Sequence, residues 1–214
     1  MKLLVATRSP GKQREACWLL EAAGHEVVFP DEAGIPESAA EAALETAPSF
    51  EGNARRKAEY FARRTGLPTV ADDSGLEVLA LGGEPGVRSK RWAGATGSAA
   101  EVDAANNAEL LRRLAGAPPE KRRARYRCAL AFLRAPDAAP AIFEGTCAGT
   151  ILDAPRGAGG FGYDPLFLSA ELGRTFAEAT PEEKNAVSHR ARAFARLLAA
   201  LDETSGRDDA TRAP

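Results

Sequence analysis

Leu3-Leu4-Val5-Ala6 has no polar position, so a strand formed there must be covered on both faces. This feature constrains the fold most, because a strand hidden on both sides needs helices above and below it. The residues that follow agree. After the polar stretch Thr7 to Lys12, Ala16, Leu19, Leu20 and Ala23 fall at helical spacing, and Gly24 is placed to stop the helix. Glu26-Val27-Val28-Phe29 then reads as a second strand, completing the opening of a βαβ unit.

Further along, Pro30 to Pro48 is rich in Ala, Glu and Pro and has no clear period. Phe50, Ala54, Ala58 and Phe61 mark a helix ending near Gly66. Pro68 to Ala71 forms a short apolar strand running into Asp72-Asp73-Ser74-Gly75, after which Leu76 to Leu79 is extended again. Ser98 and Glu101 form a capping-box pattern opening a helix to about Leu114. Arg125 to Arg134 alternates as a strand, with Ala141 to Leu152 as its partner. Thr180-Pro181-Glu182-Glu183 is the sharpest helix start in the chain, and the helix it opens would bury Val187, Ala191, Phe194, Leu198 and Leu201. We read residues 1–202 as one two-lobed domain and 203–214 as a polar, frayed tail.

Composition excludes several classes. Lys and Arg number 28 against 30 Asp and Glu, a formal charge of −2 that offers no general grip on nucleic acid. No stretch approaches the roughly 18 apolar residues of a membrane helix, and no secretory leader is visible. Cys17, Cys128 and Cys147 are odd in number and scattered, which suits reduced thiols in a cytoplasmic protein.

Four segments carry groups suited to chemistry. Thr7-Arg8-Ser9-Pro10-Gly11-Lys12 joins the first strand to the first helix, where free backbone N–H groups and a lysine suit a phosphate; a solvated polar turn is the plainer reading. It is not a Walker A loop, since Ala6 stands where that motif needs glycine and Gln13 replaces Ser/Thr. Asp72-Asp73 places two carboxylates at the end of a buried strand, where a pair can hold Mg²⁺ or deprotonate water, or simply form an Asx turn. Gly157 to Pro165 holds four glycines with Phe161 and Tyr163, a loop that can approach a ligand closely and stack on a base. Lys184, His189 and Arg190 gather donors on one helical segment.

Taken jointly and in order, these segments resemble the inosine triphosphate pyrophosphatase family, which hydrolyses non-standard purine nucleoside triphosphates. The matches are Thr7-x-x-x-Gly11-Lys12, Glu45-Thr46, Phe50-x-x-Asn53-Ala54 with Lys57, and Ala71-Asp72-Asp73-Ser74-Gly75-Leu76. They continue through Leu81-Gly82-Gly83, Pro85-Gly86, Gly159 to Pro165, Glu183-Lys184 and Ser188-His189-Arg190. Two positions depart from the family: Ser9 replaces an asparagine, and Gly52 replaces a glutamate, at an expected cost of about 1 kcal/mol to that helix.

The resemblance implies an α/β fold with an elongated mixed sheet flanked by helices, two lobes with the site in the cleft between them, and a homodimer. It implies conversion of ITP, dITP or XTP with water to the monophosphate and pyrophosphate. Asp73 would be catalytic, and Glu45 with Asp73 would hold Mg²⁺. Thr7, Arg8, Ser9, Pro10, Gly11 and Lys12 would hold the phosphates, and Ser74 would bind the substrate. Phe161 would stack on the purine with Gly162, Tyr163, Asp164 and Lys184 around it, while His189 and Arg190 donate to a 6-oxo group. Donors placed there reject the 6-amino group of ATP but not GTP. The alternatives are a septum-protein-type pyrophosphatase for pyrimidine or modified nucleotides, and a nucleotide sensor without catalysis.

Overall fold

The computed structural model describes residues 1–210. A mixed six-stranded sheet in the order β2-β1-β3-β4-β5-β6 forms its spine. Strand β1 (Lys2–Val5) lies parallel to β2 (Glu26–Val28) and to β3 (Thr69–Val78), with helix α1 (Pro10–Ala22) crossing between β1 and β2. The long strands β4 (Arg123–Leu133) and β5 (Ala141–Ile151) and the short β6 (Phe167–Ser169) continue the sheet antiparallel.

The apolar opening strand is indeed buried on both faces. Leu3 and Val5 pack with Ala16 and Leu20 of α1 and with Phe194 and Leu197 of α5 (His189–Ala210). Leu4 and Ala6 point the other way, onto Ala54, Ala58 and Phe61 of α2 (Phe50–Thr65), as the two-residue strand period demands. β3, β4 and β5 are long enough to leave this three-layered end and enter a further core. There Leu76, Val78, Tyr126, Cys147 and Ile151 meet Trp92, Phe167, Phe176 and Leu110 of α3 (Ala99–Arg113). Asp72, Asp73 and Ser74 lie on β3 between the two ends.

Local signals set most boundaries. Gly66 caps α2 at φ 69°, and Ser98 closes a complete capping box on α3. Thr180 does the same for α4 (Pro181–Val187).

Five expectations are corrected. Asp72-Asp73-Ser74-Gly75 is neither a turn nor a strand end; it is mid-strand, with Asp72 opposite Leu130 and Asp73 opposite Ala129. Its glycine serves a close approach, since a Cβ at Gly75 would collide with Ser89 Oγ and the Gly86 carbonyl. The helix opened by Thr180 breaks at Ser188 (ψ 154°), whose hydroxyl accepts from Ala191 N and begins α5, so His189 and Arg190 stand in a first turn rather than mid-helix. Gly52 lies in the first turn of α2, where the interior penalty does not apply, and a Cβ there would meet Ala47 Cβ at 2.8 Å. The aperiodic stretch before α2 contains a short 3₁₀ helix, Ala39–Glu45, with its own capping box from Ser38. Helix α5 itself passes Glu203, where the sequence placed a frayed tail, and residues 211–214 lie outside the described residues.

Candidate active site

A cavity of about 480 Å³ opens beside the middle of β3, walled by the β1–α1 turn, the Ala39–Glu45 helix, the glycine loop and the first turn of α5. Thr7, Arg8, Ser9, Lys12, Glu45, Asp73, Ser74, Phe161, Gly162, Tyr163, Asp164, Lys184, His189 and Arg190 all line it. Residues from opposite ends of the chain thus share one space, as the sequence led us to expect. Pro10 and Gly11 are not on the wall. Gly11 lies under Phe161, and a Cβ there would meet the ring at 2.5 Å, so the missing side chain lets the ring settle on the start of α1.

The adjacent carboxylates differ sharply. Asp72 is 4% exposed and saturated with donors: Arg190 Nε at 2.9 Å and Cys128 Sγ at 3.0 Å on Oδ2, Ser74 Oγ at 3.2 Å and the Lys12 ammonium on Oδ1. Burial opposes its charge, but Arg190, Lys12 and Lys57 outweigh burial and hold the carboxyl well below its usual range. Asp73 is 6% exposed and lined into the cavity, with Asn53 Nδ2 donating at 2.9 Å and Lys57 Nζ 3.5 Å away. Burial pushes its carboxyl up, opposed by Lys57 and Lys12. Of the two, Asp73 has the basicity and the opening that proton transfer needs.

At one end of the cavity, the Gly11 and Lys12 amides head α1 without intrahelical acceptors, and the Ser9 hydroxyl makes no capping bond. Lys12 Nζ rests on Asp72. Arg8 lines the cavity too, but the structure gives its guanidinium other partners: Glu41, Asp31 and the Ile35 carbonyl.

Glu45 and Asp73 flank Lys57 Nζ at 2.8 and 3.5 Å. Lys57, against the cost of burial, holds the Glu45 carboxyl down to about 2. Among the described residues no group of three or more acidic, His or Cys side chains is assembled for a metal. Two hard carboxylates suit Mg²⁺ nonetheless, since that ion takes one or two carboxylates and completes its shell with water and substrate phosphate.

At the other end, Lys184 Nζ reaches Asp164 Oδ2 at 2.5 Å and Glu15 Oε1 at 2.9 Å, and lies 4.7 Å from the Phe161 ring centre. Asp164 in turn accepts from the Phe161 amide at 2.9 Å, fixing the ring's position. His189 stacks on Tyr126 with centres 4.6 Å apart. Burial and the nearby Arg190 keep its imidazole well below its usual pKa and therefore neutral, and its Nδ1 is buried without a partner. Each Arg190 nitrogen has an oxygen partner, in Asp72, Glu15 and Ser74, leaving two N–H bonds uncommitted. Tyr163 serves the frame, its hydroxyl donating to the Ser89 carbonyl at 2.9 Å.

Sequence reasoning missed Glu15 and Arg91 and gave no role to Asn53 and Lys57, which it named only as motif residues. Glu15 joins Lys184 to Arg190, Asn53 and Lys57 orient Asp73, and Arg91 grips the Glu45 backbone. Spacing could have exposed some of them: Glu15 lies one turn from Lys12, and Asn53 one turn from Lys57.

The sequence profile of the Ham1 family matches residues 3–200. The chain belongs to the Ham1 family. It is 47% identical to a dITP/XTP pyrophosphatase of Geobacillus kaustophilus over 209 residues, 96% of each chain. It is equally identical to the one of Methylococcus capsulatus over 206 residues, covering 96% and 98% of the two chains. Among solved structures, a HAM1 protein from Coxiella burnetii superposes with a TM-score of 0.81 at 37% identity, over 95% of this chain and 99% of that one. The Staphylococcus aureus Ham1 protein gives 0.78 at 34%, over 95% and 100%. The resemblance drawn from Thr7 to Arg190 therefore extends over nearly the whole chain. No helix among the described residues is long and apolar enough to cross a membrane.

Proposed function

We propose that this protein hydrolyses non-standard purine nucleoside triphosphates, ITP, dITP and XTP, to the monophosphate and pyrophosphate. The observation that carries the reading is Asp73: a buried carboxylate of raised pKa, oriented by Asn53, opening on a cavity with phosphate-holding groups at one end and a ring at the other. Lys12, the first amides of α1 and Ser9 take the triphosphate. Asp73 accepts a proton from water as the water oxygen attacks the α-phosphorus; the bond from that phosphorus to the α–β bridging oxygen breaks, and the oxygen leaves on pyrophosphate. Glu45 and Asp73 would hold Mg²⁺, which would supply charge neutralisation on the phosphate chain. The purine lies by Phe161, and three donors face its 6-oxo group: the third N–H of Lys184, neutral His189 and a remaining N–H of Arg190. A 6-amino group would leave them unpaired. We also propose a cytoplasmic homodimer. The three free thiols support the compartment, the family resemblance supports the dimer, and light scattering in solution tests it.

The test is turnover of ITP, dITP, XTP, GTP, ATP and TTP with Mg²⁺. Equimolar monophosphate and pyrophosphate from the 6-oxo purines, with little from ATP or TTP, is expected. Release of single phosphates, or equal rates on TTP, would overturn the reading.

A further inference from the structure

Glu45 is carried on a segment that the core does not hold. No residue of the Ala39–Glu45 helix is buried, and its one core contact is the half-buried Leu44 against the α2 side of the sheet. A short 3₁₀ turn has little stability of its own, so polar contacts must fix it. Arg8 supplies them. Its Nε and Nη2 form a bidentate pair with Glu41 at 2.8 and 2.7 Å, Nη1 meets Asp31 at 2.5 Å, and Nη2 also donates to the Ile35 carbonyl at 3.1 Å. The Arg8 and Glu41 side chains are only 16% and 17% exposed, so the pair is shielded from water. Glu41 also accepts from the Ser38 amide, closing the box that begins the turn.

We propose that Arg8 is a positioning residue for the divalent cation: by clamping Glu41 it fixes the short helix that presents Glu45, and it does not bind the triphosphate. The proposal rests on the Glu45–Asp73 reading of the metal pair. Arg8 sits in the β1–α1 turn four residues before Lys12, so the clamp ties the cation-bearing segment to the phosphate-bearing one. Lysine cannot replace it, because a point charge lacks the two-pronged geometry that a carboxylate meets here. If the unclamped segment presents Glu45 only about a tenth of the time, apparent cation affinity falls about 10-fold.

Four variants test this: Arg8→Lys, Glu41→Gln, the double variant carrying both, and Glu45→Gln, each confirmed folded by thermal melting. Mn²⁺ binding to the nucleotide-free protein is read by electron paramagnetic resonance, amide exchange over 39–46 by mass spectrometry, and the KM for ITP at saturating Mg²⁺ by turnover. Arg8→Lys and Glu41→Gln should each weaken Mn²⁺ about 10-fold and speed exchange over 39–46. Both should leave the KM within about two-fold, and the double variant should be no worse than either alone. A large rise in KM for Arg8→Lys with unchanged exchange, and a normal Glu41→Gln, would return Arg8 to the phosphates and overturn the clamp. Unchanged Mn²⁺ binding in Glu45→Gln would instead overturn the metal pair, and the proposal with it. That failure is distinct from loss of Mn²⁺ in Glu45→Gln alone, which defeats only the clamp.

Discussion

Neutralising Asp72 and neutralising Asp73 should have opposite consequences, although the residues are neighbours on one strand. Asp72→Asn removes the charge facing Arg190, which is 2% exposed and keeps only Glu15 as a carboxylate partner. Breaking a buried pair by removing one partner costs about 3–5 kcal/mol. In a chain of this size each kcal/mol lowers Tm by about 2–4 °C, so a fall of about 6–20 °C is expected. Asp73→Asn removes a carboxyl whose folded pKa is raised, chiefly by burial. A raised carboxyl stabilises the fold only while protonated; above its folded pKa its ionisation costs stability, so at pH 7 the asparagine should melt at or above the parent temperature. Turnover of ITP should nevertheless fall by at least about 10², the scale of losing a general base. Melting curves followed by near-ultraviolet circular dichroism, with pyrophosphate release on the same samples, separate the two. If both variants melt together, or if Asp73→Asn turns over near normally, the division of labour is wrong.

The other expectations concern single groups. Lys12→Ala should weaken ITP binding by more than about 1 kcal/mol in calorimetry and leave inosine binding unchanged, since a charged hydrogen bond to phosphate is lost. His189→Phe retains a ring against Tyr126 but no donor, so kcat/KM for ITP should fall about 10-fold or more while that for ATP holds. A parallel fall for both substrates would assign His189 to the frame. Glu15 is held down to about 2, burial opposing its charge while Arg190 and Lys184 overcome it; its contribution is therefore present above about pH 4.5 and lost as pH falls toward 2. The acid limb of Tm against pH should flatten in Glu15→Gln, and an unchanged limb would show that Glu15 does not carry it.

Features written in adjacent residues were legible in the sequence: the doubly buried β1, the stop at Gly66, and the boxes at Ser98 and Thr180. The Asp72 to Gly75 stretch was not, because its composition is that of a turn and only pairing with β4 makes it a strand. The break at Ser188 was hidden for the converse reason: the apolar spacing continues through it, while the hydroxyl that ends one helix also begins the next. Site residues could be named, but not their partners. Arg8 looked like a phosphate ligand because Glu41, 33 positions away, cannot be read from its neighbourhood.

Mid-strand placement is what allows neighbouring aspartates to divide their work. Successive side chains on a strand point to opposite faces, so Asp72 turns toward the side of α1 and α5, where Arg190, Cys128 and Lys12 surround it. Asp73 turns toward α2, where Asn53 and Lys57 orient it and Glu45 adds a second acid. A turn would have shown both carboxylates to water and left them near their ordinary pKa values. On the strand, one becomes a fixed anion that holds the cations of the base and phosphate ends together. The other stays basic enough to take a proton. The chain of alternating charges from Asp164 through Lys184, Glu15 and Arg190 to Asp72 runs just behind the cavity, with Asp164, Lys184 and Arg190 on its wall. It therefore binds the loop that receives the base to the strand that bears the chemistry, and disturbing any link should be felt at both.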